Sequence, residues 1–305
     1  MTRAEAAGVN VRRFLDPRVA SQIEQIDLRA RLVVEGFLTG LHRSPFHGFS
    51  VEFAEHRPYS PGDPIRHLDW KVFAKQDRYY IKRFHEETNL RAYLLVDESA
   101  SMGFTRGGRP SKLAYASSLA AALSYLMLGQ QDAVGLLLFA ERIERYVPPR
   151  SVKSHLHQLL LELARAEARS GTRVGSCLTS LAERVKRRGL VMVFSDLLDE
   201  PEAVLAGLKA FRHRNHEVVV FHVLDPDERR FPFHEPVEIE DMESSERLVT
   251  HGWEVAREYR RRVEEWCGRL QRECRERLID YVPLDTATPF DVALIRYLEK
   301  RARLH

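Results

Sequence analysis

Asp97, Ser99 and Ser101 alternate along the stretch Val96-Asp97-Glu98-Ser99-Ala100-Ser101, so one carboxylate and two hydroxyls leave a single short turn. All three are oxygen donors, the set that suits a hard divalent cation such as Mg²⁺ or Mn²⁺. Three ligands from one turn cannot fill an octahedron, so other segments must supply more or leave positions open. Two segments further along carry candidates. Ser170-Gly171-Thr172-Arg173-Val174-Gly175 is a glycine-flanked loop offering the Thr172 hydroxyl, and Phe194-Ser195-Asp196 ends an apolar run with a carboxylate. The expected ligand set is therefore Asp97, Ser99, Ser101, Thr172 and Asp196.

For these residues to converge, the runs before them must be strands of one sheet. Residues 92–96 and 190–193 are continuous apolar runs, as expected for strands buried on both faces. From residue 90 onward strand and helix patterns alternate, which predicts an α/β fold with a doubly wound, mostly parallel sheet. Strands are expected at 92–96, 134–139, 190–195, 218–223 and near 280–283, with 143–147 as a hairpin edge. Helices are expected at 111–128, 152–166, 179–186, 201–213, 253–278 and 289–301. In such a sheet, ligands bind beyond the carboxyl ends of the strands, where Asp97 and Asp196 both fall. The stretch 225–252 is too long for a simple connection and predicts a second hairpin, 237–240 with 247–250.

Upstream lies a segment of different character. Asp16-Pro17 reads as a helix start, and Val19, Ile23, Ile26, Ala30, Val33 and Phe37 mark one apolar helix face ending near Gly40. Residues 50–53 and 79–84 have strand character around a turn-rich stretch, Arg57-Pro58-Tyr59-Ser60-Pro61-Gly62-Asp63-Pro64. The expected organisation is a helix with a small β-containing appendage over residues 1–89 and the α/β domain over 90–305.

The chain has 305 residues, 44% of them hydrophobic and 30% charged, enough for one large domain plus an appendage. A net charge of +3 gives no support to nucleic-acid binding. The three cysteines, Cys177, Cys267 and Cys274, form no CxxC pair and read as free thiols in a reducing compartment. No signal-length or membrane-length apolar stretch is present, so a cytoplasmic protein without an anchor of its own is expected.

The order Asp-x-Ser-x-Ser, then Thr, then Asp is the signature of a metal-ion-dependent adhesion site. The chain from about Arg91 onward resembles a von Willebrand factor A-type domain, including Asp132-Ala133-Val134-Gly135 before the second strand. That resemblance implies an ion held by the two aspartates, two serines and threonine, with a partner's acidic side chain completing the shell. One departure stands out. Many such domains place glycine after the final aspartate, where this chain has Leu197, a change expected to alter access to the ion or the geometry of Asp196. Asp199 and Glu200 are close enough in sequence to compete as ligands.

The upstream run Gly48-Phe49-Ser50-Val51-Glu52-Phe53, Arg57-Pro58-Tyr59, Gly62-Asp63, Arg66 and Leu68-Asp69-Trp70 resembles the domain-of-unknown-function family 58. Leu224-Asp225-Pro226, Asp280-Tyr281 and Leu284-Asp285-Thr286 agree. This resemblance implies a partnership with MoxR-type AAA+ ATPases in assembling or maturing other proteins. Within the run, Glu52, Glu55, Arg57, Asp63, Arg66 and Asp69 could form an Arg–carboxylate network, with Trp70 supplying a large apolar contact.

Other chemistries fit less well. A dehalogenase-type phosphatase needs a second carboxylate where Ser99 stands. Gly103, Gly107 and Gly108 come too late for a dinucleotide loop, and His155 and His157 point to different helix faces. The leading expectation is a metal-dependent interaction module without catalytic activity. A hydrolase using Asp196, Asp199 or Glu98 as base and a metal-free scaffold remain alternatives.

Overall fold

Ala92, Leu94, Leu95 and Val96 have no exposed surface, and Leu190, Val191, Met192, Val193 and Phe194 have none either. Strands this apolar on both faces require helices above and below them. The computed structural model supplies both layers. It describes residues 50–59, 70, 72–73, 79–87, 90–169, 171, 173–233, 235–242 and 246–302.

In chain order the described strands are β1 (Ser50–Pro58), β2 (Tyr80–Glu87), β3 (Arg91–Asp97), β4 (Ala133–Phe139), β5 (Ile143–Arg150), β6 (Leu190–Ser195), β7 (Glu217–Leu224), β8 (Pro236–Glu240), β9 (Arg247–His251) and β10 (Asp280–Asp285). The helices are α1 (Lys112–Gly129), α2 (His155–Ala164), α3 (Val174–Arg184), α4 (Pro201–His213), the short α5 (Pro226–Arg230), the long α6 (Gly252–Glu276) and α7 (Phe290–Ala302). β1 and β2 form their own antiparallel pair. The expected helix over residues 16–40 and the turn 60–64 lie outside the described residues.

The main sheet runs β10-β7-β6-β3-β4-β5, parallel throughout except for the antiparallel edge β5. This is the expected α/β architecture. The chain leaves β3 toward β4 and β5, then returns to build β6, β7 and β10 on the other side. The crevice where a doubly wound sheet binds ligands therefore opens between the carboxyl ends of β3 and β6.

Alternation along the strands divides the core in two. Leu94, Val96, Leu136, Met192 and Phe221 pack with α1, α2 and α7 on one face. Tyr93, Leu95, Leu137, Val193 and Val220 pack with α3, α4 and α6 on the other. Each fully buried Leu or Phe contributes about 1.5–3 kcal/mol of hydrophobic stabilisation.

Some boundaries moved. α3 begins at Val174 rather than residue 179, so Val174 and Gly175 are helical and not loop. Gly175 is required there: a Cβ would meet the Ala203 carbonyl carbon at 2.4 Å, where α3 and α4 approach each other. The hairpin expected within 225–252 is present as β8–β9. It is preceded by α5, which the sequence reading had not separated. α5 starts with a capping box: Asp225 accepts from Asp227 N–H, and Glu228 accepts from Asp225 N–H.

Trp70 does not supply the buried contact expected of it. It packs edge-on against Phe73 and keeps 59% of its surface exposed. Asp63, Arg66 and Asp69 of the proposed charge network lie outside the described residues.

Candidate metal centre

β3 and β6 are parallel neighbours in register, with Val96 opposite Phe194. The next residue on each strand is polar, and they meet: Ser195 Oγ donates to Asp97 Oδ2 at 2.5 Å. The other Asp97 oxygen accepts from Ser99 N–H at 2.8 Å, which folds the turn back over the strand end. Met102 N–H then donates to the Ser99 carbonyl, starting the 3₁₀ turn Ala100–Gly103 that carries Ser101. Ser99 Oγ and Ser101 Oγ end 3.1 Å apart. Asp97, Ser99, Ser101 and Asp196 are all buried.

Of the five expected ligands, the structure thus brings Asp97, Ser99 and Ser101 into one hydrogen-bonded cluster, with Asp196 beside it. Thr172 lies outside the described residues. Arg169, three residues earlier in the chain, is anchored at the turn. Arg169 N–H donates to the Glu98 carbonyl at 2.7 Å, and Arg169 forms a parallel bridge with Ser99.

Asp97 is costly to ionise where it stands. The Asp97 carboxyl is pushed up to about 7, chiefly by burial and then by the negative charge of Asp196. A positive charge placed beside Asp97 would lower that cost. A carboxylate has about four acceptor sites, and each Asp97 oxygen here accepts one protein hydrogen bond, so donor capacity remains. An all-oxygen set of carboxylates and hydroxyls fits Mg²⁺ or Mn²⁺.

One positive charge is already built in. Lys112, the first residue of α1, is wholly buried, and its ammonium donates to Asp196 Oδ2 at 2.7 Å and to Glu228 Oε1 at 2.6 Å. Burial pulls its pKa down, but Asp196 and Glu228 outweigh burial and leave it above the ordinary lysine value. Burial pushes Glu228 up despite Lys112. Asp196 and Glu228 thus share one buried ammonium.

Asp196 is further fixed through its backbone. His222 Nε2 lies 2.8 Å from the Asp196 carbonyl, and Nδ1 bonds the Tyr281 hydroxyl. A carbonyl only accepts, so Nε2 carries the proton and Tyr281 donates to Nδ1. Burial holds His222 down to about 4, so the ring is neutral.

Leu197 resolves the departure noted in the sequence. It adopts the left-handed conformation at φ 56°, the backbone shape that glycine would take there. Its side chain is fully buried in the face packed by α3 and α4. Leu197 N–H donates to Ser195 Oγ at 2.9 Å.

Two expected competitors are otherwise engaged. Asp199 accepts from Gly175 N–H at 2.9 Å and from Glu200 N–H at 2.7 Å, so it caps α3. Glu98 pairs with Arg145 and accepts from Glu167 N–H at 3.2 Å. The histidines agree with the sequence reading: His155 is buried with Nε2 3.0 Å from the Val134 carbonyl, and His157 is exposed. The cysteines are free, and burial pushes Cys177 up to about 11.

Lys112, Ser195, Leu197 and His222 are the site residues that sequence reasoning did not assign. Ser195 carried a usable signal, a hydroxyl at the end of an apolar strand next to a candidate ligand. A lysine at the start of a helix gave none, because that position is ordinarily solvated.

Residues 55–267 match the family described as "Protein of unknown function DUF58". Uncharacterized proteins of Mycobacterium bovis and Mycobacterium tuberculosis are each 31% identical over 233 residues, spanning 75% of this chain and 72% of theirs. Among solved structures, an aerotolerance-related membrane protein from Bacteroides fragilis is similar over 71% of this chain and all of its own, with a TM-score of 0.47 and 17% identity. BatB from Bacteroides thetaiotaomicron gives 0.45 and 17% over 70% of this chain and 99% of its own. The VWA domain of SpRpn10 gives 0.40 and 10% over 69% and 95%.

Proposed function

This chain belongs to the DUF58 family, and from that premise we propose that it is a non-catalytic, metal-dependent protein-interaction module. Mg²⁺ or Mn²⁺ would be held by Asp97, Ser99, Ser101, Thr172 and Asp196, and would offer a position to an acidic side chain of a partner. The observation that carries this reading is the hydrogen-bonded cluster of Asp97, Ser99 and Ser101 at the β3–β6 crevice, with Asp196 alongside. The bound ion supplies Lewis acidity toward a carboxylate, and the chain's own residues hold it there.

A hydrolase would need a free base at this edge. Glu98 is committed to Arg145 and Asp199 to the start of α3, which favours binding over turnover. The partner proposed is a MoxR-type AAA+ ATPase, on the strength of the family resemblance, with the pair acting in the cytoplasm on assembly or maturation of other proteins. No helix among the described residues is long and apolar enough to cross a membrane.

Calorimetry with Mg²⁺ and Mn²⁺ tests the cation. Wild type should bind in the micromolar-to-millimolar range and Asp97→Ala should not. A pull-down with and without chelator, probed for the ATPase, tests the partner. The Lys112 ammonium supports a second reading, a metal-free scaffold in which lysine is the only cation. An absence of binding heat at millimolar ion, with partner capture untouched by chelator, would select it.

A further inference from the structure

Beside the cation edge the surface opens into a cavity of about 650 Å³ whose lining begins at Ser101. Its walls come from segments that share no sheet: Phe104 after the Ser101 turn, Phe231 and Phe233 after α5, Ile239 and Met242 on the β8 side, and Tyr259 on α6. Large apolar side chains left exposed include Leu198, Ile239, Met242 and Tyr259, and all four line this one cavity. Scattered exposed apolar residues need no explanation, but their gathering around one concavity marks a binding surface.

Its lining carries one guanidinium, Arg106, and five carboxylates, Asp227, Glu228, Glu238, Glu240 and Asp241. The inner end adjoins the ligand cluster at Ser101. The Arg106 guanidinium lies over the Phe233 ring at 4.3 Å and forms part of the wall. Glu238 and Glu240 on β8 share a single arginine, Arg247, at 3.2 and 3.3 Å. The complementary occupant has a carboxylate for the cation at the Ser101 end, a large apolar side chain for the aromatic walls and basic character to meet the lining carboxylates.

We propose that this cavity receives an aromatic or large aliphatic side chain adjacent to the partner's ion-binding carboxylate, so that the site recognises an apolar–acidic pair on a peptide segment. The proposal rests on the cation reading above, which contributes the inner contact. The apolar contact is a property of the β8–β9 hairpin, α5 and α6, and it supplies the selection among acidic partners.

Two probes separate the contributions: acetyl-phenylalanyl-aspartyl amide and acetyl-alanyl-aspartyl amide, titrated by NMR into the full chain with Mg²⁺ and then with chelator. The phenylalanyl peptide should bind at least about tenfold tighter, the scale of burying one such side chain. The preference should vanish in Ile239→Asp and in Tyr259→Ala, both surface positions. Equal affinity for the two peptides, each dependent on Mg²⁺ and on Asp97, overturns the cavity and leaves the cation reading standing. A tenfold preference that persists in chelator supports the cavity and sinks the cation reading. A dimer of wild type that Ile239→Asp dissolves in sedimentation overturns the peptide occupant in favour of a second copy of the chain.

Discussion

Lys112 Nζ lies 2.7 Å from Asp196 Oδ2, and neither side chain reaches solvent. A lysine at the first position of a helix opposes the helix dipole; Ser111 caps α1 by accepting from Ala114 N–H, and two carboxylates compensate the lysine charge. Replacing Lys112 by Met leaves the buried Asp196 and the part-buried Glu228 without their cation, a change that costs about 3–5 kcal/mol. Urea unfolding should show that loss without divalent ion. Millimolar Mg²⁺ should restore more stability to Lys112→Met than it adds to wild type, because an ion that binds only the folded state stabilises it. Equal gains in the two proteins would mean that lysine and ion do not share a field.

Leu197 reverses a familiar ranking. A non-glycine residue in the left-handed region costs about 1–2 kcal/mol, here offset by burial of the whole side chain. Leu197→Ala loses the packing and keeps the strain, while Leu197→Gly loses both. Alanine should therefore destabilise more than glycine, by about 1 kcal/mol in urea midpoints converted to free energy. The opposite order would show that the backbone relaxes away from φ 56° without leucine.

Acid stability should follow the buried histidines. Burial depresses His155, His216 and His222, the last to about 4. Unfolded histidine titrates near 6.5, so the unfolded chain takes up protons first as pH falls. Their contribution is intact above about 6.5 and is lost as pH drops toward the folded values, with His222 alone worth about 3 kcal/mol over the full window. Asp97, raised to about 7, has the opposite sign: its contribution is complete below the unfolded aspartate value and is lost as pH rises through about 7. From pH 6.5 to 4.5 the Asp97 contribution offsets that of His222, so the test is a difference: over that range His155→Gln with His216→Gln should lose less stability, or gain more, than wild type in thermal melts. An unchanged slope in the double variant would locate the acid transition elsewhere.

Glu98 should behave as architecture. It is buried against Arg145, and its Oε2 has no hydrogen-bond partner among the described residues. Arg145→Met should destabilise by about 3–5 kcal/mol, and adding Glu98→Gln should recover part of it. Peptide and Mg²⁺ binding by the double variant should match wild type. Loss of binding with the fold intact would return Glu98 to the site.

The sheet was legible in the sequence because its strands are buried on both faces and so read as unbroken apolar runs; 190–195 and 201–213 match their observed elements end to end. α3 was read late because Gly175 resembles a loop residue until its close contact with α4 is seen. The convergence of Asp97, Ser99, Ser101 and Asp196 on one sheet edge followed from strand order alone. Lys112 and the Tyr281–His222–Asp196 chain did not, because they depend on which distant elements pack together. The cavity beside Ser101 was hidden for the same reason: its walls come from distant elements, among them Tyr259 of α6, which remains partly exposed and lines the opening.

The position of β10 has a consequence for how the protein is made. β10 covers the outer edge of β7, yet residues 225–279, including the whole of α6, separate them in the chain. A nascent chain emerging amino end first can zip β3, β4, β6 and β7 together while that edge still presents unpaired backbone groups beside the run Val218, Val219, Val220 and Phe221. Slow, non-local parallel pairing leaves such an edge open to other nascent chains. The ribosome must carry this exposed seam through synthesis of the entire long helix before the protein can close it.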